Sequence, residues 1–267
     1  MKNTELQKKI ETLSIRLTEM KKVLVAFSGG KDSFFLLEHA IATLGKENAI
    51  ACNVRSSFSS QNDLKRVRYF REKLDFNMES LTIDLSGEKA IMANPKDRCY
   101  FCKTKIFSQI KEKARELGIS WIIDGTTCSD LNEYRPGLKA LEELEIISPL
   151  RDSGITSAEI ISYLREEKGI DEYYLTSSAC MATRFPYNFN LDENCLKVFD
   201  NIEHFLVENN IFPVKVRYIP DGIRIETPGS LFLKIIEQRE SIIKYSSANG
   251  IKFVTLDLGG IKTGVWD

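Results

Sequence analysis

The chain has 267 residues, enough for one large or two modest domains, each able to bury a core. Its 37 basic and 38 acidic residues leave a formal charge of -1, which excludes a global basic field for nucleic acid or membrane surfaces. No apolar run approaches the ~18 residues of a membrane helix, and Met1-Lys-Asn-Thr-Glu-Leu6 is too polar for a signal peptide, so a cytoplasmic enzyme is expected.

In chain order, Leu6, Ile10, Leu13, Leu17 and Met20 recur at spacings of four and three. That spacing predicts an amphipathic helix over 3–22, docked on a sheet or on a partner subunit. Val23-Leu-Val-Ala-Phe27 then reads as a buried parallel strand, Ser28-Gly29-Gly30 as a turn almost without side-chain bulk, and Asp32-Ser33-Phe34-Phe35-Leu36-Leu37 as the opening of a helix. A phosphate can approach the bare backbone at the two glycines and accept N–H bonds from the turn and the helix N-terminus. Ser28 and Ser33 add hydroxyls, and Lys31 adds charge.

Further strands are predicted near 49–54, 78–84, 120–124 and 145–148, alternating with helices near 32–44, 61–74, 102–117, 136–143 and 156–168. The alternation implies an α/β fold with a parallel sheet and helices on both faces. Ligands in such sheets sit beyond the carboxyl ends of the strands, where Ser28–Ser33 and Gly125-Thr126 fall. Arg184-Phe-Pro-Tyr-Asn-Phe-Asn190 breaks both periodicities and predicts a linker. It separates a domain of residues 1–185 from a smaller C-terminal α+β domain of residues 190–267. In the latter we predict a helix over 193–209, strands over 213–218 and 222–227 joined through Pro220-Asp221-Gly222, a helix over 230–248 and a strand over 251–257.

Ser28-Gly-Gly-Lys-Asp-Ser33 resembles the PP-loop of the ATP pyrophosphatase families and lacks the Gly-x-x-x-x-Gly-Lys-Ser/Thr of a Walker loop. The resemblance implies cleavage of ATP between its α and β phosphates, giving an adenylylated substrate and pyrophosphate. It places Ala26, Ser28, Gly29, Gly30, Asp32, Ser33, Gly125 and Thr126 at the nucleotide. Asp32 would also hold Mg²⁺, a hard cation that prefers carboxylate oxygen.

Cys99-Tyr-Phe-Cys102 is the second signal among six cysteines. Two thiols three apart at the start of a helix sit in a positive local field, with Arg98, Lys103 and Lys105 adding charge. Taken alone, the pair is a redox couple, half of a zinc site or part of an iron–sulfur site. Neither His39 nor His204 is placed to complete a zinc site, and both read as packed or surface residues. Cys180 stands in Ser177-Ser-Ala-Cys-Met-Ala-Thr-Arg184, a small and polar setting that turns basic. Cys52 and Cys195 read as packing residues. Cys128 reads as structural, with a spare sulfur ligand as the alternative.

With these segments in hand, the chain resembles the LarE family of ATP-dependent sulfur transferases, which thiolate a pyridinium nucleotide on the way to the nickel-pincer cofactor. The matching segments are Ser28–Ser33, Arg98–Lys103, Asp124–Thr126, Tyr134–Leu138, Ser148–Leu150, Cys180–Tyr187, Arg224–Glu226 and Val254–Gly260, spread over nearly the whole chain. The resemblance implies two candidate chemistries. In one, Cys180 gives up its own sulfur and becomes dehydroalanine. In the other, Cys99, Cys102 and Cys180 hold a 4Fe-4S cluster whose open iron carries sulfide, and the three cysteines favour this one. Cys99, Cys102, Cys180 and Asp32 are then the catalytic set.

The same resemblance puts Arg135 near the nucleotide and gives Arg184 a phosphate through its planar fork. It gives Arg217, Arg224, Glu226 and Asp257 a role at a subunit contact, so a homo-oligomer is expected. The expected partners are a small-molecule carboxylate nucleotide and a sulfide source. Thr127 stands where the family commonly has Asn, and Lys262-Thr263-Gly264 replaces the usual Arg-Ser-Gly. The runner-up is a tRNA-thiolating PP-loop enzyme, which shares the loop and the cysteine trio but tends to be more basic than this chain.

Overall fold

The structure, a computed structural model, describes residues 2–132, 135–176 and 179–262. In chain order the elements are α1 (Lys2–Met20), β1 (Val23–Ala26), α2 (Lys31–Leu44), β2 (Ala49–Arg55), α3 (Gln61–Lys73), β3 (Met78–Thr82) and α4 (Lys89–Met92). Then come α5 (Arg98–Glu116), β4 (Trp121–Asp124), α6 (Gly137–Glu143), α7 (Pro149–Asp152), α8 (Ser157–Glu166) and α9 (Glu172–Leu175). The chain continues through α10 (Glu193–Glu208), β5 (Lys215–Ile219), β6 (Gly222–Glu226), α11 (Phe232–Glu237), α12 (Arg239–Ala248) and β7 (Phe253–Leu256). No helix among the described residues is long and apolar enough to cross a membrane.

Two compact units emerge. The first, Met1–Ser56, Asp63–Ile83 and Asp97–Ser178, is built on a four-stranded parallel sheet in the order β3-β2-β1-β4. The alternation of β1 explains its central place. Val23, Val25 and Phe27 join a core shared with α1, α2, α3 and α8, whose contributions include Leu13, Leu17, Phe35, Phe70 and Ile160. Leu24 and Ala26 face the other way, into a core with Phe107, Ile110 and Ala114 of α5 and Leu141 of α6. Because β1, β2 and β3 progress in one direction and β4 pairs on the opposite side of β1, the strand order reverses between β1 and β4. That reversal is the place where open parallel sheets bind ligands.

A fifth strand near 145–148, expected from its apolar residues, reduces to one parallel bridge between Ile147 and Ile123. Glu145 has a left-handed φ of 58° and Pro149 opens α7, so too few extended residues remain between them to form a strand. Helix α5 starts at Arg98, which puts Cys99 in its first turn and Cys102 at the start of its second. The single helix expected over 230–248 is divided at Gln238 into α11 and α12.

The second unit, Ser57–Asn62, Asp84–Lys96 and Ala179–Asp267, holds a mixed sheet in the order β5-β6-β7. Its hairpin turns through Asp221, with φ of 58°, into Gly222, where an added Cβ would strike the carbonyl oxygen of Phe253 on β7. Phe185, Phe189, Phe199 and Tyr218 cluster against one another, joining the former linker to α10 and β5. Two excursions from the earlier sequence belong here for a physical reason. The Asn188 N–H donates to the Asn94 carbonyl at 2.9 Å, and the Leu191 N–H to that of Met92 at 2.7 Å. The Gln61 N–H donates to the Asp200 carboxylate at 3.1 Å.

Candidate active site

The phosphate loop lies at the carboxyl end of β1, where Gly29 adopts a left-handed φ of 79° and Gly30 precedes α2. Val67 of α3 closes directly on Gly29, with its Cγ2 2.6 Å from where a Cβ would stand. Inside the loop, the Gly30 N–H donates to Ser28 Oγ at 3.3 Å, Ser33 Oγ donates to the Gly30 carbonyl at 2.9 Å, and the two hydroxyl oxygens are 3.2 Å apart. The serines thus brace the turn that exposes the N–H groups of α2, whose dipole favours an anion. Asn53, buried beyond Cys52, anchors the start of the loop by donating to the Phe27 carbonyl at 2.8 Å.

From β4 comes the second wall. An added Cβ on Gly125 would lie 2.8 Å from Ser33 N and 2.9 Å from Ser33 Cα, so only glycine permits this approach to the loop backbone. Asp124, at the end of β4, accepts from Thr126 Oγ1 and from Ser148 Oγ, each at 2.6 Å. Ala26, Gly125 and Thr126 therefore stand with Ser28–Ser33 at one sheet end.

Asp32 is paired with the buried Lys31 at 2.8 Å and accepts from Ser157 Oγ at 3.3 Å. Burial raises its pKa above the usual carboxylate range, the Lys31 ammonium opposes that rise, and the charge of Asp130 adds to it. Arg135, expected at the nucleotide, is held by Asp130 at 2.8 Å. Asp130 also accepts from the Thr127 N–H at 2.7 Å and from Thr127 Oγ1 at 2.9 Å. Asp32 and Asp130 are two carboxylates of this region, and carboxylate oxygen suits a hard cation. Asp130 and Ser157 escaped the sequence reading. No local pattern flags their link to Asp32, which lies far away in the chain.

Cys99 is exposed and Cys102 half-buried, one turn apart at the N-terminus of α5, with an Arg98 guanidinium nitrogen 3.7 Å from the Cys99 sulfur. Gly137 admits the stem of Lys103 to this region, since a Cβ there would meet the Lys103 side chain at 2.8 Å. Cys128 donates to the Arg151 carbonyl at 3.2 Å. Burial pushes the thiols of Cys52 and Cys195 up to about 11, as suits packing residues. His39 packs on Phe35 with Nδ1 2.9 Å from its carbonyl, and His204 Nδ1 lies 3.0 Å from Asn62 Oδ1.

In the second unit Cys180 caps a short 3-10 turn, Met181–Arg184, and its carbonyl accepts from Thr183 Oγ1 at 2.7 Å. Arg184, expected on a phosphate, is buried. Its fork closes on Glu203 at 2.8 and 2.5 Å, while Nη1 donates to the Ala179 carbonyl at 3.2 Å. It holds the approach to Cys180 and presents no free face to an anion. Arg217 and Arg224 converge on the fully buried Glu226 at 2.8 and 2.9 Å, and Arg224 reaches Asp257 at 3.4 Å. Cys99 and Cys102 belong to the first unit and Cys180 to the second. Among the described residues no three His, Cys, Asp or Glu side chains assemble into a metal-holding group. Tyr134, Ser177, Ser178, Thr263 and Gly264 lie outside the described residues.

Comparison with known proteins brings these features together. Residues 4–117 match the NAD synthase family, a PP-loop family. The chain is 29% identical over 253 residues to the pyridinium-3,5-bisthiocarboxylic acid mononucleotide synthase of Lactiplantibacillus plantarum, covering 95% of this chain and 91% of that protein. An uncharacterised protein of Synechocystis sp. is 28% identical over 97% of both chains. One of Methanocaldococcus jannaschii is 30% identical over 89% of this chain and 90% of its own. With relatives aligned along almost its full length and the phosphate loop in place, the chain belongs to the PP-loop family that these proteins share, the LarE family.

Proposed function

We propose that this protein uses Mg·ATP to adenylylate a carboxylate of a pyridinium mononucleotide and then replaces the activated oxygen by sulfur. The observation that carries the reading is the phosphate loop itself, Ser28–Ser33, backed by Gly125 at the point where the strand order reverses. In the first step a substrate carboxylate oxygen attacks the α-phosphorus, the bond to the β-phosphate oxygen breaks, and pyrophosphate leaves. Loop N–H groups and the Ser28 and Ser33 hydroxyls hold the phosphates, and Asp32 neutralises Mg²⁺. In the second step hydrosulfide attacks the acyl carbon, the C–O bond to AMP breaks, and a thiocarboxylate, AMP and a proton result. Adenylylation is needed because a carboxylate is a poor electrophile.

The thiols of Cys99, Cys102 and Cys180 suit soft metal chemistry. The first two lie one helical turn apart beside an arginine, and their donor set of sulfur without imidazole fits a 4Fe-4S cluster. When bound, such a cluster would supply an iron able to carry sulfide, and Cys180 would be its third ligand. The small-molecule product in the name of the Lactiplantibacillus relative favours a mononucleotide acceptor over tRNA.

The test is an anaerobic reaction of reconstituted protein with a carboxylated pyridinium mononucleotide, ATP, Mg²⁺ and excess sulfide, followed by intact-protein mass spectrometry. Many products per chain with Cys180 unchanged in mass is the expected result. One product per chain, with dehydroalanine at position 180, would assign the sulfur to Cys180 instead. ADP and phosphate as products would overturn the PP-loop chemistry.

A further inference from the structure

Helix α3 touches both the phosphate loop and α9 with the residue that follows it. On its loop side, Val67 and the Asp63 carbonyl close around Gly29, at 2.6 and 3.4 Å from the place a Cβ would occupy. On its other side Arg66, only 3% exposed, donates from Nη1 to the carbonyls of Thr176 at 2.8 Å and Tyr174 at 3.2 Å. Its guanidinium carbon stands 4.9 Å from the centre of the Tyr173 ring, and Tyr69, three residues further along the helix, stacks on Tyr174 with centroids 3.4 Å apart. Two carbonyls and a π face receive this cation, and its buried Nε has no hydrogen-bond partner among the described residues. Burial pulls its pKa below the ordinary arginine value, so the arrangement costs desolvation that a solvated side chain would avoid. What the arginine gains in return is a fork that grips the backbone of α9 and the residue after it, four positions before Cys180.

We propose that Arg66 is a positioning residue that transmits occupancy of the phosphate loop to α9 and Thr176. Phosphates seated on Gly29 and Gly30 press on α3 through Val67, and α3 carries Tyr174 and Thr176 with it through Arg66 and the Tyr69 stack. This inference rests on the ATP reading above.

The test is hydrogen–deuterium exchange of the full-length protein with and without Mg²⁺ and α,β-methylene-ATP, read by mass spectrometry on two peptides. Protection over residues 27–36 reports binding, and protection over residues 171–176 reports coupling. In the native protein both should be protected, the second by about fivefold or more, the range of ordinary site-to-site coupling. In Arg66→Met the first should persist and the second vanish. Arg66→Lys, which keeps stem and charge but loses the fork, should lose most of it and guards against a merely unfolded methionine variant. Undiminished protection at 171–176 in both variants would overturn the inference. Native protein protected only at 27–36 would also overturn it while leaving ATP binding intact. Protection at neither peptide would sink the ATP reading and the coupling together.

Discussion

Gly125→Ala offers a sharp test of how the phosphate loop is built. The new methyl would stand 2.8 Å from Ser33 N, 2.9 Å from Ser33 Cα and 3.1 Å from the Asp32 carbonyl carbon, about 0.6 Å inside ordinary 3.4 Å contact at the nearest point. All three are backbone atoms at the start of a helix, so no flexible side chain can yield. Relief requires moving the N-terminus of α2 away from β4, and overpacking of this kind costs about 1–3 kcal/mol. For a protein of this size that corresponds to roughly 2–4 °C in melting temperature per kcal/mol. The N–H groups meant for the phosphates move with the helix. Since a 1 Å misplacement can cost about 10²-fold, a shift of half that should lower kcat/KM for pyrophosphate release on the order of tenfold. Thermal unfolding, calorimetric titration with α,β-methylene-ATP and a pyrophosphate-release assay measure these effects. Gly87→Ala, which meets nothing within 4 Å, is the control and should stay within about 0.5 kcal/mol of the native protein. A Gly125→Ala protein with native melting temperature and native ATP affinity would show that β4 does not wall the site.

Two further outcomes follow from the electrostatics. Asp32 must be ionised to serve Mg²⁺, and its raised pKa means that this capacity disappears, as pH falls, earlier than for an ordinary aspartate. Lys31→Met removes an influence that lowers this pKa and should move the acidic limb of the pyrophosphate-release profile to higher pH. Asp130→Asn removes one that raises it and should move the limb to lower pH; two superimposable profiles would refute the assignment. In the second unit, Glu203→Gln strands the buried Arg184 guanidinium and should cost about 3–5 kcal/mol in thermal unfolding, much of it recovered when Arg184 is replaced by Met and Glu203 by Leu together.

The sequence was most legible where one short segment carries its own physics. Val23–Phe27 alternates between two cores, two glycines follow, and a helix opens, so strand, turn and phosphate site could be read together. Strand endings were less legible, as Ile147 shows, because a left-handed Glu145 and a proline leave an apolar run too short to pair. Residues defined by distant partners gave no signal. Arg66 reads as one more charge on a basic helix until the Tyr174 and Thr176 carbonyls are seen at its fork. Arg184 carries an anion-binding look in sequence, and only Glu203, nineteen residues on, shows where its charge is spent.

The second unit is assembled from three stretches of chain, and this bears on how the protein is made. Residues 57–62 and 84–96 leave the ribosome early, yet the residues they bond, Phe185, Asn188, Leu191 and Asp200, are synthesised some hundred positions later. The Asn94 amide, which donates to the Phe185 and Pro186 carbonyls at 3.4 and 2.7 Å, must wait for them. The parallel sheet of the first unit can close once β4 emerges, while the early stretches of the second stay open until translation is almost finished. A fragment ending near residue 178 would therefore present unpaired backbone to chaperones. Expression of this protein in halves should succeed only when both halves are made together.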